Sequence, residues 1–139
     1  MLRSRSSHSA TLLLDGRVLV AGGFVDFSFS SDSAELYDPI TGVWTQAGKM
    51  RVARSAHTAT LQPDGRVLVA GGLDGLDLSQ AEIYDPVSDT WLWKKSGHLS
   101  VEMSGRHTGT SLQTGRVLVA GGVQDSFGAV ANVGPARLP

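Results

Sequence analysis

The chain has 139 residues, 41% of them hydrophobic and 18% charged, the composition of a folded globular protein and not of a disordered or fibrous one. Its 12 basic and 13 acidic side chains leave a formal charge of -1 and are spread along the length, which argues against nucleic acid or an anionic membrane as partner. There is no cysteine, so disulfides, thiolate metal sites and cysteine nucleophiles are excluded.

The chain opens with MLRSRSSHSATLLLDG, whose apolar run from Ala10 to Leu14 is broken by Thr11 and is too short for a signal-peptide core or a membrane span. From His8 the sequence reads HSATLLLDGRVLVAGG. It returns as HTATLQPDGRVLVAGG from His57 and HTGTSLQTGRVLVAGG from His107, at spacings of 49 and 50 residues. A second block follows the first two copies, AELYDPITGVWT from Ala34 and AEIYDPVSDTWL from Ala81. The third copy is followed by VQDSFGAVANVGPARLP, in which ANVGP is a candidate remnant of AEIYDP without a tryptophan behind it. Length differences fall between the blocks and never inside them, the pattern of fixed elements joined by adjustable loops.

Each block reads as strands, rich in threonine, valine, leucine, isoleucine, tyrosine and tryptophan and without a sustained helical period. Asp15-Gly16 and Asp64-Gly65 predict two-residue hairpin turns with positive φ at both positions, and Thr114-Gly115 a weaker version. In Val67, Leu68 and Val69 both strand faces are apolar, which predicts a strand covered on both sides. The double glycine ends that strand, AEIY is the third strand, Asp85-Pro86 starts a turn, and the segment around Trp91 is the fourth.

Four antiparallel strands per unit of about 50 residues, covered on both faces, is the logic of a propeller blade. The double glycine, the Tyr-Asp-Pro and the tryptophan that follows resemble the kelch repeat, from residue 3 to about residue 126. The resemblance implies an all-β fold of kelch-type β-propeller blades, each of four antiparallel strands, with two complete blades and a partial third in an incomplete ring. The expected organisation is a single partial domain over 1–139, with blade 1 at about 3–50, blade 2 at about 51–100 and partial blade 3 at about 101–139. It also implies that the first strand of each blade lines a central channel and that loops on the two rims offer binding surfaces. A closed propeller needs about four to eight blades. The remaining blades are therefore expected from a longer chain or from a homo-oligomer in which identical chains complete the ring.

The loops after the double glycine, 24–33, 73–80 and 123–129, differ between units and hold every phenylalanine of the chain. Phe24, Asp26, Phe27, Phe29, Asp74, Asp77, Asp125 and Phe127 are the candidate ligand-binding residues there, because loops that vary on a shared framework are free to serve a ligand. The alternative is that the rings fold back over a neighbouring blade. Arg54, His57, Arg106 and His107 are candidate rim residues; the arginines, with Arg5, would bind an anionic ligand there or pair with a loop carboxylate or carbonyl. His8, His57 and His107 recur at one position, where they could share a metal or, more simply, cap their own strands with hydrogen bonds to the backbone of their own or the next blade. No loop has a dense acidic pattern for calcium.

Arg17, Arg66 and Arg116 recur alongside Glu35 and Glu82, and a cross-strand ion pair between the two sets is expected as scaffold. Tyr37, Tyr84, Trp44 and Trp91 are expected as wedges between blades. No phosphate-binding glycine motif and no nucleophile elbow occurs, and no cofactor is implied. The leading expectation is a non-enzymatic interaction module whose rim loops bind a protein or glycan. A copper radical oxidase built on such a propeller is contradicted by the missing cysteine, while a sugar epimerase-like scaffold, or a fragment of a larger propeller, is the alternative.

Overall fold

The structure, a computed structural model, describes residues 1–26, 29–76, 78–103, 105, 107–122 and 134–136, with 94–103 and 134–136 described along the backbone. Its strands are β1 (Arg5–Ser6), β2 (Ser9–Leu12), β3 (Val18–Ala21), β4 (Phe24–Val25), β5 (Phe29–Ser30), β6 (Ala34–Asp38) and β7 (Val43–Gln46) in the first unit. The second unit supplies β8 (Thr58–Leu61), β9 (Val67–Ala70), β10 (Leu78–Asp85) and β11 (Thr90–Met103), and the third β12 (His107–Ser111), β13 (Val117–Gly121) and β14 (Gly134–Ala136). Strands β2-β3-β6-β7 form one four-stranded antiparallel sheet and β8-β9-β10-β11 the next; β12-β13-β14 form a three-stranded sheet. The short β1, β4 and β5 make a small sheet of their own beside the first blade.

The hairpin turns depart from the expected form. Leu13 N donates to Arg17 O at 2.8 Å and Gly16 N to Leu13 O at 3.1 Å, and the same two bonds recur at Gln62–Arg66 and Leu112–Arg116. Of the turn residues only the glycines have positive φ, 86° at Gly16, 85° at Gly65 and 74° at Gly115. This is a type I turn closed by a left-handed glycine bulge, a three-residue loop instead of a two-residue one. The residue before the glycine therefore needs no unusual backbone, which is why Thr114 serves as well as Asp15 or Asp64.

The second strand of each unit is the packing centre. Val67, Leu68, Val69 and Ala70 are all buried, as the unbroken apolar run predicts. Successive side chains point to opposite faces of a strand. Val67 and Val69, with Tyr84 on β10, join Leu19, Ala21 and Leu36 of the first blade in one core cluster. Leu68 and Ala70, with Ile83, join Val117 and Val119 of the third sheet in another. Strand β8 lies beside β2 on one side and β12 on the other, so the first strands of successive sheets are neighbours.

Tyr84 and Trp91 sit as a wedge between the first two blades, whereas Tyr37 and Trp44 are half-buried on the open face of the first. Tyr84 is fully buried in the first cluster, Trp91 packs against that cluster, and their rings lie 5.1 Å apart; Tyr37 and Trp44 repeat the pair at 4.9 Å. Trp91 Nε1 donates to Gly48 O at 2.7 Å, and Asp89 Oδ1 accepts from both Gly48 N at 2.9 Å and Tyr84 Oη at 2.7 Å. These bonds latch the end of the first blade onto the outer half of the second. In the third sheet Gly134 stands opposite Val119, the place that Glu82 holds opposite Val69, so this blade lacks the carboxylate at that position.

Candidate functional site

The antiparallel path brings the loops after the double glycines and the segments leading into β2 and β8 to one edge of the sheets. The glycines are what permits the approach. A Cβ on Gly22 would stand 2.5 Å from Arg54 O and 2.6 Å from His57 Cε1, and one on Gly72 would stand 2.5 Å from Ser55 O. Both have positive φ, and Gly23 N donates to Arg54 O at 2.9 Å, so backbone from the following segment seats directly in the space a side chain would fill. The double glycine and the histidine recur together because each is shaped by the other.

Arg54 lies beneath this edge with its side chain wholly out of water. Its Nη1 donates to Gly71 O at 2.8 Å and Gln80 O at 2.9 Å, and its Nη2 to Glu82 Oε1 at 3.0 Å. Glu82 also accepts from Arg51 N at 2.7 Å and Val52 N at 3.0 Å. Arg5 repeats the arrangement with Gly22 O, Ser33 O and Glu35, and Glu35 accepts from Leu2 N at 2.7 Å. The expected ion pairs are thus corrected. Glu35 and Glu82 pair with Arg5 and Arg54, whereas Arg17 and Arg66 reach back to Asp15 and Asp64 at 2.7 Å in their own turns. The turn bulge directs the post-turn arginine at the carboxylate two residues earlier, away from the third strand.

Burial sets the charge balance here. It pushes the Arg54 guanidinium down from its ordinary value against the opposing pull of Glu82. Burial also raises Glu35, but the Leu2 amide and the Arg5 guanidinium outweigh it and hold the carboxyl below the usual range. Placed this way, Arg54 offers nothing to an anion in solvent; its donors serve the scaffold.

The histidines bond to the neighbouring blade, one of the two expected forms, and their partners include side-chain hydroxyls as well as backbone. His57 Nε2 lies 2.9 Å from Ser9 Oγ of the first blade, and His107 Nε2 lies 3.1 Å from Thr58 Oγ1 and from Ala70 O of the second. A serine beside an imidazole suggests a nucleophile and its base, but the surroundings argue otherwise. Among the described residues His57 Nδ1 is buried with no partner to orient the ring, and Ser9 Oγ also reaches Ala21 O. Burial, with Arg54, His107 and His8 nearby, pulls His57 down to about 3, too low for a general base at neutral pH. Burial lowers His107 too. Among the described residues no group of three or more His, Cys, Asp or Glu is placed to hold a metal ion.

Above this buried layer the loops form the surface. Phe29 on β5 is 79% exposed and Leu76 is 78% exposed. Ser30 Oγ donates to Leu73 O at 2.8 Å and lies 3.1 Å from Ser55 Oγ, and Ser55 N and Leu73 N exchange bonds with each other's carbonyls, so the two loops form one continuous edge. Phe24 is half-buried and lines a cleft of about 100 Å³ with Ser4, Arg5, Ser6 and Asp26. Asp26 and Asp74 are exposed; Asp74 N bonds Leu76 O at 3.1 Å within its loop. Phe27, Asp77, Arg106, Asp125 and Phe127 lie outside the described residues. Of the expected contacts, then, Phe29, Asp26 and Asp74 reach the surface, and Arg54, His57 and His107 lie below it. Leu76, not anticipated as a contact, is an apolar residue in a Gly- and Asp-rich loop, DGLD, and that mismatch was the available signal.

A family model of the Kelch motif matches residues 5–51 and again 54–92. No curated protein matches the chain significantly.

Proposed function

The chain belongs to the kelch-motif family, and from that premise we propose that it is a non-enzymatic interaction module whose double-glycine edge docks a protein or glycan ligand. The observation that carries this is the pair of exposed apolar side chains, Phe29 and Leu76, on two adjoining loops that are hydrogen-bonded into one edge. A phenylalanine left in water on a hydrogen-bonded loop has only two side-chain torsions to order and gains its apolar area when covered, the profile of a binding anchor. Asp26 and Asp74 flank these anchors and would favour a ligand with cationic or hydrogen-bond-donating groups. The mechanism is shape and desolvation. The buried Arg and His residues below hold the loops in place.

Peptide and glycan arrays probed with the whole chain, and again with Phe29→Ala, test the proposal. Binding that Phe29→Ala lowers tenfold or more, with an unchanged denaturation midpoint, supports it. Binding that is indifferent to Phe29 and Leu76 moves the contact elsewhere. Turnover of any member of a sugar panel would favour the epimerase-like scaffold instead. The half-exposed outer faces of the first and third blades favour a larger ring around the described arc.

A further inference from the structure

The two outer faces of the arc are complementary, and the contacts inside the arc show how. At the first junction Ser9 Oγ meets His57 Nε2, and at the second Thr58 Oγ1 meets His107 Nε2. One step further along the repeat, the hydroxyl is Thr108, exposed on β12. One step back, the histidine is His8, whose ring makes no hydrogen bond with any described residue. The glycine seat follows the same rule. Gly22 is filled by Arg54 O and His57 Cε1, while its third-unit counterpart Gly121 has nothing among the described residues within 4 Å of the position its Cβ would take.

The apolar and indole contacts agree. Leu68 and Ala70 are 3% and 1% exposed between the second and third blades, whereas Leu118 and Ala120 in the same places on β13 are only half-buried. Trp91 Nε1 is taken by Gly48 O, whereas the indole N–H of Trp44 has no hydrogen-bond partner among the described residues. Residues 1–5 already lie across the first blade as 50–54 lie across the second, with Leu2 N on Glu35 matching Arg51 N on Glu82, each at 2.7 Å. The third blade therefore presents the accepting half of the junction and the first blade the inserting half.

We propose that a second copy of this chain occupies these faces, the third blade of each copy receiving the first blade of the other, so that two chains close one six-bladed ring about a two-fold axis. The proposal does not depend on the rim ligand.

A disulfide trap tests it. A Cβ on Gly109 would stand 3.3 Å from Thr58 Cβ at the second junction, close to the Cβ separation of a disulfide, about 3.5 to 4.5 Å. The corresponding pair across the proposed contact is Thr108 of one copy and Ala10 of the other, both exposed, in a chain without any cysteine of its own. The expected results are a wild-type mass of twice 14.6 kDa that persists over a tenfold dilution, and complete conversion of the Ala10→Cys/Thr108→Cys chain to a covalent dimer. Leu118→Glu should return the protein to a monomer that keeps its β circular dichroism. A monomeric wild type would overturn the proposal and assign these faces to blades of a longer chain. A ladder of larger cross-linked species, or a dimer that the cysteine pair fails to trap, would overturn it as well. Phe29→Ala should leave the mass unchanged, so the rim and ring proposals fail separately.

Discussion

Arg54 is a cation held out of water by two carbonyls and a carboxylate, and the chain makes the same structure again at Arg5. Removing one partner strands the other, so Arg54→Ala should lower the unfolding free energy by about 3–5 kcal/mol. Arg17→Ala breaks an exposed pair in a turn and should cost less than about 1 kcal/mol. Urea titrations of the two variants check the contrast, and equal losses would sink the assignment of Arg54 as the scaffold arginine. His57 gives a pH signature. An unfolded histidine takes up its proton near 6.5, while folded His57 does so only near about 3. Between these values the unfolded chain binds more protons, so stability falls on acidification, by about 2 kcal/mol at pH 5 from this group alone. Glu35, whose carboxyl is held low when folded, adds its own loss below its ordinary value of 4.5. His57→Gln should flatten the decline between pH 6.5 and 5, and an unchanged slope would remove His57 as its source. Sequence showed which residues recur but not which recurrent residues meet. Arginine and glutamate were visible at matching positions, yet the partner was the arginine before the histidine, because turn geometry claims the other one.

At the level of elements, the strands of the blade sheets and their order were legible, since alternation, the unbroken VLVA run and the Asp-Gly turns all report local backbone demands, while the small β1-β4-β5 sheet, partly inside the stretch 24–33 read as a loop, was not. What was not legible was the turn type, which depends on one extra residue that a pattern of letters does not reveal. The double glycine was visible as a strand end, but its reason, backbone from the next segment resting on it, is a long-range fact. Gly72→Ala sets a Cβ against Ser55 O and His57 Cβ at positive φ and should destabilise severely, whereas Gly75→Ala has the same backbone problem in open space and should cost about 1 kcal/mol. If both cost the same, the close approach is not what fixes Gly72. The aromatic wedge follows a similar comparison. Trp91→Ala removes a ring packed on the first cluster and its bond to Gly48, and should cost about 3–5 kcal/mol. Thermal melts of the variant provide the check, a midpoint within noise of wild type being the contrary outcome.

For the whole molecule, the second sheet separates two apolar clusters, one shared with each neighbouring blade, so stability is built from junctions between adjacent blades. A third junction made between chains would tie that stability to concentration: the melting temperature should rise several degrees over a hundredfold increase in protein, and a constant value would argue against association. The three repeats were legible, and each supplies a sheet, whereas the fit between the two open faces emerged only when buried and vacant copies of the same position could be compared. The opposite edge has a different prospect. Ile40 and Val87, at 92% and 95% exposure, crown turns whose backbone amides are held by the Asp38 and Asp85 carboxylates, and neither side chain belongs to a core cluster. Those crowns are natural ports for inserted cargo: an epitope or fluorescent peptide spliced after Ile40 would extend into solvent, report on the protein from outside, and leave the glycine edge free for whatever it holds.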